Sequence, residues 1–149
     1  MIKTWTGPEE KLTNISSEIL GLVQNQSPNF VLLLRGQMGA GKTALTRETM
    51  YLLGLTRGTP VQSPTFSYFN DYEIEGKKFA HIDLYRMEEA MDLEDFFGIS
   101  FSDYSGVFIE WPNSSLLLSD LTATHELTIE LINGGEQRCY KLDTLSRRK

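Results

Sequence analysis

Residues 36–43 read Gly-Gln-Met-Gly-Ala-Gly-Lys-Thr, a complete G-x-x-x-x-G-K-[ST] pattern. Each residue type in it has a chemical reason. Glycines at 36, 39 and 41 let the backbone curl until successive N–H groups point at one anion. Lys42 brings a mobile positive charge to the β- and γ-phosphates of a nucleotide, and the Thr43 hydroxyl is a hard oxygen ligand for Mg²⁺. A glycine-rich turn with an incidental lysine is the competing reading, and the context weighs against it. The pattern directly follows the apolar run FVLLL, residues 30–34, and directly precedes residues with helical spacing. A strand would deliver the loop, and the helix would add its positive dipole end to the same anion. The expected nucleotide contacts are Gly36, Gly39, Ala40, Gly41, Lys42, Thr43 and Ala44.

Such a loop works with a carboxylate that holds or orients the metal from the end of a neighbouring strand. Two positions compete: Asp83 in FAHIDLYR and Glu110 in GVFIEWP. Glu110 follows Val107, Phe108 and Ile109, and a carboxylate there is costly unless a cation or several donors meet it. The order of loop, helix, hairpin and acid parallels the small GTPases. In those, a threonine ahead of the hairpin senses the γ-phosphate, and Thr65 in QSPTF holds that place here. Asp83, however, is followed by Leu84, Tyr85 and Arg86 rather than by Asp-x-x-Gly spacing, and the chain has no Asn-Lys-x-Asp guanine signature. Both facts tilt the nucleotide toward ATP. Each acid alone also reads as a solvated strand end; the loop supplies the cation that turns both toward chemistry. His81 is expected to pack or to accept a hydrogen bond rather than to act as a base. For Trp111 three roles stay open: core, a lid on the nucleotide, or a partner contact.

These residues need elements to position them. The apolar spacing predicts a short strand over 2–5 and a helix after it, with Thr6 as a cap and Leu12, Ile15, Ile19, Leu22 and Val23 on its buried stripe. A buried strand over 29–35 precedes the loop, and a helix over 42–53 follows, ended by Gly54. Alternation from Phe66 to Glu73, a turn at 75–77 and a strand over 78–85 predict a hairpin. An acidic helix over 87–97 precedes the strand that carries Glu110, and a short helix is expected over 113–121. The chain closes with strands over 126–132 and 138–142 around Asn133-Gly134-Gly135. Parallel α/β units with antiparallel additions are the expected architecture.

Composition bounds the rest. With 149 residues the chain has room for one domain, 1–149, with a real core. A net charge of −6 argues against a protein that grips nucleic acid by itself, because backbone affinity scales with the phosphates neutralised. The basic cluster Arg147, Arg148 and Lys149 reads as a solvated tail. A lone cysteine, Cys139, and an N-terminus without an apolar leader fit a reducing, cytoplasmic setting.

The motifs, taken in order, resemble one family. GQMGAGKT, then SPTF at 63–66, HIDLYR at 81–86 and IEWP at 109–112 are similar in sequence and spacing to the TsaE (YjeE) family of small bacterial P-loop ATPases, which act in making threonylcarbamoyladenosine in tRNA. The resemblance implies a P-loop NTPase fold, α/β in three layers with a mixed parallel/antiparallel sheet. It implies ATP or ADP and Mg²⁺ as cofactors. Thr43 and Glu110 would be direct or near-direct metal ligands, with Lys42 a catalytic charge. Asp83 would be the second essential acid, contacting a metal-bound water or orienting the attacking one. Residues 63–66 would be a switch loop with Thr65 its nucleotide sensor. TsaD and TsaB are the implied partners, with tRNA reached only through them and ATPase activity low without them. Three positions depart from the family pattern: Gln37 and Met38 where an acid and a leucine are usual, and Ala44 where a second threonine is usual. Two rival functions remain: a P-loop kinase acting on a small molecule, and a module that uses ATP only as a conformational latch.

Overall fold

A computed structural model describes residues 2–64, 68–87, 92–111 and 123–145. In chain order the strands are β1 (Ile2–Gly7), β2 (Phe30–Arg35), β3 (Phe69–Ile74), β4 (Lys77–Asp83), β5 (Gly106–Glu110), β6 (His125–Ile132) and β7 (Gln137–Thr144). The helices are α1 (Leu12–Gln26), α2 (Lys42–Leu53) and α3 (Leu93–Phe97). The strands form one mixed sheet in the order β1-β7-β6-β2-β5-β4-β3. Its centre is parallel, with β2 between β5 and β6 and β4 beside β5, while β1, β3 and β7 join antiparallel.

The pattern of burial follows from that order. A central parallel strand is covered on both faces, so β2 reads FVLLLR with no polar alternation. Leu32, Leu34 and Phe108 face α1 and α2, meeting Ile15, Ile19, Val23, Leu45 and Met50. Val31, Leu33, Ile82, Val107 and Ile109 point the other way, against Leu93, Phe101 and Tyr104. Gly106 leaves room for Phe30, whose ring meets Phe108 edge-on at 5.4 Å between centroids. The β3–β4 hairpin turns on Glu75 (φ 52°) and Gly76 (φ 80°), both left-handed as a tight two-residue connection demands.

Several elements differ from expectation. Thr6 does not cap a helix: its backbone is spent on the β1–β7 ladder opposite Cys139. Pro8 instead opens a 3₁₀ turn (Glu9–Lys11), and α1 starts at Leu12. The acidic helix is shorter than its charge pattern suggested. Asp92 accepts from the N–H groups of Glu94 and Asp95, which fixes the start of α3, and Gly98 ends it at φ 67°. Strand β4 stops at Asp83 rather than running on to Tyr85. The hairpin's first strand begins at Phe69, and Phe66 lies outside the described residues, as do the expected helix over 113–121 and the basic tail over 147–149.

Candidate functional site

Three strand ends come together by register. In β2, Leu34 lies opposite Glu110 of β5, and Glu110 lies opposite Asp83 of β4. All three strands run parallel, so their carboxyl ends open on one edge, the place where parallel sheets hold ligands. The glycine-rich loop leaves β2 at that edge. Gly39 (φ 83°) and Gly41 (φ 113°) take left-handed backbone that other residues resist. Gly41 is also the residue ahead of α2, and no side chain caps that helix. The first N–H groups of a helix have no partner within it, so those of α2 are left for an anion.

Lys42 is only 4% exposed. Its Nζ donates to the carbonyls of Gly36 (2.7 Å) and Gln37 (3.1 Å) and lies 3.9 Å from the centre of the Trp111 ring. Burial lowers the lysine's pKa below its ordinary value, and the nearby charges of Glu110 and Asp83 draw it back up. The ammonium therefore feels the charge of both carboxylates while two carbonyls of the loop hold it.

The two acids are separated by what they touch. Thr43 Oγ1 donates to Glu110 Oε2 at 2.8 Å, and His81 Nε2 lies 2.5 Å from the same oxygen. Glu110 is 2% exposed. Asp83 instead accepts from the Ser63 hydroxyl and, at 2.9 Å, from the Tyr85 N–H. Glu110 thus shares a hydrogen bond with the hydroxyl of the loop motif, while Asp83 faces the segment containing SPTF. Thr65, expected to be the nucleotide sensor, lies outside the described residues.

These groups surround a cavity of about 460 Å³. Gly39, Gly41, Lys42, Thr43, Ala44, Asp83 and Glu110 all line it. Gly36 lies behind, with its carbonyl on Lys42, and Ala40 is buried. A larger hollow of about 580 Å³ lies at the opposite end of β2, between Gln26, Asn29, Thr124 and Thr144. It has no ionisable side chain among its described lining, whereas Lys42, Asp83, Arg86, Glu110 and Arg138 line the smaller one. Among the described residues no three His, Cys, Asp or Glu side chains gather into a self-sufficient metal site. A cation between Thr43 and Glu110 would complete its shell with phosphate and water oxygens, which is how Mg²⁺ is usually held. Hydroxyl and carboxylate oxygens are the hard donors Mg²⁺ prefers, so this pair fits it.

The profile of the family described as "Threonylcarbamoyl adenosine biosynthesis protein TsaE" matches residues 7–140. This chain belongs to the TsaE family. A TsaE protein of Aquifex aeolicus is 37% identical over 90 residues, which is 60% of this chain and 65% of that one. One from Haemophilus influenzae is 42% identical over 83 residues, 54% of this chain and 51% of that one. The chain therefore spans between half and two thirds of the length of these two relatives. A Borreliella burgdorferi TsaE is 32% identical over 107 residues, covering 70% and 76% of the two chains. All three carry the name tRNA threonylcarbamoyladenosine biosynthesis protein. The crystal structure of Bacillus subtilis YdiB superposes with a TM-score of 0.70 over 98% of this chain and 87% of that one, at 22% identity, and so shares the fold.

One residue of this TsaE member, Arg138, has a role that sequence alone missed. Arg138 of β7 donates through Nε to the Ala40 carbonyl at 2.8 Å and lines the cavity. In a trans peptide the carbonyl and the next N–H point oppositely, so anchoring Ala40 O turns the Gly41 N–H the other way. His81 packs as expected, and its Nε2 shares a hydrogen bond with Glu110 Oε2 in which a carboxylate oxygen is the acceptor. Trp111 has a left-handed backbone (φ 58°), packs against Tyr85 with the rings tilted by 54° and their centroids 4.8 Å apart, and covers Lys42. No local pattern announces any of these contacts.

Proposed function

We propose that this chain binds and hydrolyses ATP with Mg²⁺ and acts in the threonylcarbamoyladenosine modification of tRNA, working on a TsaD–TsaB pair that holds the RNA. One observation carries the nucleotide reading: Lys42 and Thr43 open an uncapped helix, with the Thr43 hydroxyl on Glu110 from the end of β5. Family membership carries the biological setting. The net charge of −6 supports a protein that leaves RNA binding to its partners.

The division of labour follows from the contacts. Backbone N–H groups of the loop and of α2 would bind the phosphates, and Lys42 would exchange its loop carbonyls for phosphate oxygens. Thr43 and Glu110 would hold Mg²⁺, which when bound neutralises charge on the β- and γ-phosphate oxygens. Asp83 is tied to Ser63 and Tyr85; it would contact a metal-bound water or orient the attacking one, and Thr65 would sense the γ-phosphate. Lys42→Ala should abolish nucleotide binding, and with it multiple-turnover modification in an assay reconstituted from TsaD, TsaB and tRNA. Undiminished multiple turnover would overturn the proposal. Phosphate appearing on a small metabolite instead of as free phosphate would favour a kinase. Stimulated turnover in the presence of the partner pair separates an ATPase from a latch.

A further inference from the structure

Glu110 is not held by Thr43 alone. Strand β4 places His81 opposite Phe108 of β5, two residues before Glu110 and on the same face of the sheet. The imidazole is 0% exposed, its Nε2 lies 2.5 Å from Glu110 Oε2, and its Nδ1 has no hydrogen-bond partner among the described residues. A phenylalanine of similar shape would fill this position without leaving a buried nitrogen unpaired. The histidine's retained polar contact is therefore the one to Glu110. With nothing among the described residues to accept a proton from Nδ1, the proton that makes a hydrogen bond is the one on Nε2, aimed at the carboxylate. Two donors, the Thr43 hydroxyl and the His81 N–H, then converge on one oxygen and fix the carboxyl plane.

We propose that His81 is a positioning residue: through its Nε2–H it orients Glu110 for the divalent cation and touches neither metal nor nucleotide. This rests on the reading of Glu110 as the metal-holding acid. Outer partners of this kind usually affect metal affinity while leaving the rest of the site alone.

The test pairs two amides. In His81→Gln the side-chain N–H₂ reaches about as far as the imidazole Nε2; in His81→Asn it falls short. Binding of a fluorescent ADP would be followed in EDTA and across a Mg²⁺ titration for both variants, wild type and Glu110→Gln. His81→Asn should raise the half-saturating Mg²⁺ by about 10–100-fold and leave metal-free ADP binding unchanged, with His81→Gln close to wild type. Equal Mg²⁺ requirements for the two amides overturn the role of His81. If Glu110→Gln itself leaves the Mg²⁺ requirement unmoved, the assignment of Glu110 fails instead. Independently of any variant, nitrogen-15 NMR of the wild-type imidazoles should find the Nε2–H tautomer at His81, one of only two histidines in the chain. An Nδ1–H tautomer there overturns the proposal.

Discussion

Replacing Glu110 by glutamine removes one charge and almost no volume, so its effects on stability and on chemistry can be separated. In the native protein the carboxylate accepts from Thr43 at 2.8 Å and meets His81 at 2.5 Å, at 2% exposure. Each hydrogen bond to a charged acceptor contributes about 1.5–3 kcal/mol, against about 0.5–1.5 kcal/mol for a neutral one. The amide oxygen can still take both donors, so the two bonds weaken by roughly 2–3 kcal/mol together. Relief of a buried charge works in the opposite direction, because keeping an ion out of water costs several kcal/mol. The terms nearly cancel, and the melting temperature should move by less than about 5 °C. Chemistry has no such compensation. The amide offers a metal no charge, and loss of one preorganised electrostatic contact typically lowers turnover by about 10²–10³-fold. The assay is phosphate release with Mg²⁺ and the partner pair present, beside thermal melts and metal-free ADP binding. Turnover within about tenfold of wild type, ~1.4 kcal/mol or less, would refute the metal-holding role. A melting temperature lowered well beyond that range, with the nucleotide site lost, would show instead that the carboxylate is structural.

Three further outcomes follow from particular contacts. Arg138→Gln should weaken ADP binding by about tenfold, the worth of one charge-assisted hydrogen bond, measured by titration calorimetry; unchanged affinity would mean that Ala40 needs no anchor. Gly106→Ala would set a Cβ 2.3 Å from the Phe30 ring tip, and such overpacking should cost about 1–3 kcal/mol in chemical denaturation without touching ADP affinity. His125 is buried between Gln26 and Thr124, each 2.8 Å from a ring nitrogen, and burial lowers its pKa below the ordinary 6.5. The unfolded chain thus binds the proton more readily, so stability should be full above pH 6.5 and fall as pH drops from there toward the folded value. His125→Gln should lose part of that acid sensitivity in melts at neutral and acidic pH, and an unchanged profile would assign it to other groups.

The legible parts of this molecule were those fixed by neighbours in the chain. Helix α2 begins at Lys42 and stops before Gly54 as its spacing indicates, because a positive-φ glycine stands at each of its ends. Where two local signals competed, the boundary was misplaced. Leu84 and Tyr85 continue the apolar rhythm of β4, yet the Asp83 carboxylate takes the Tyr85 N–H and turns the chain there. Asp92 does the same for α3 by capturing N–H groups that a longer helix would have used. The contacts that sequence could not show are those made across strands. Arg138 and Ala40 are 98 residues apart, and His81 and Glu110 are 29 apart. Only the order of strands and the parallel register of β4 with β5 bring them together. A carboxylate ending an apolar strand signals that something must meet it, but not what. Register supplies the answer: a threonine hydroxyl and a buried histidine on one oxygen, with a lysine close enough for its charge to be felt.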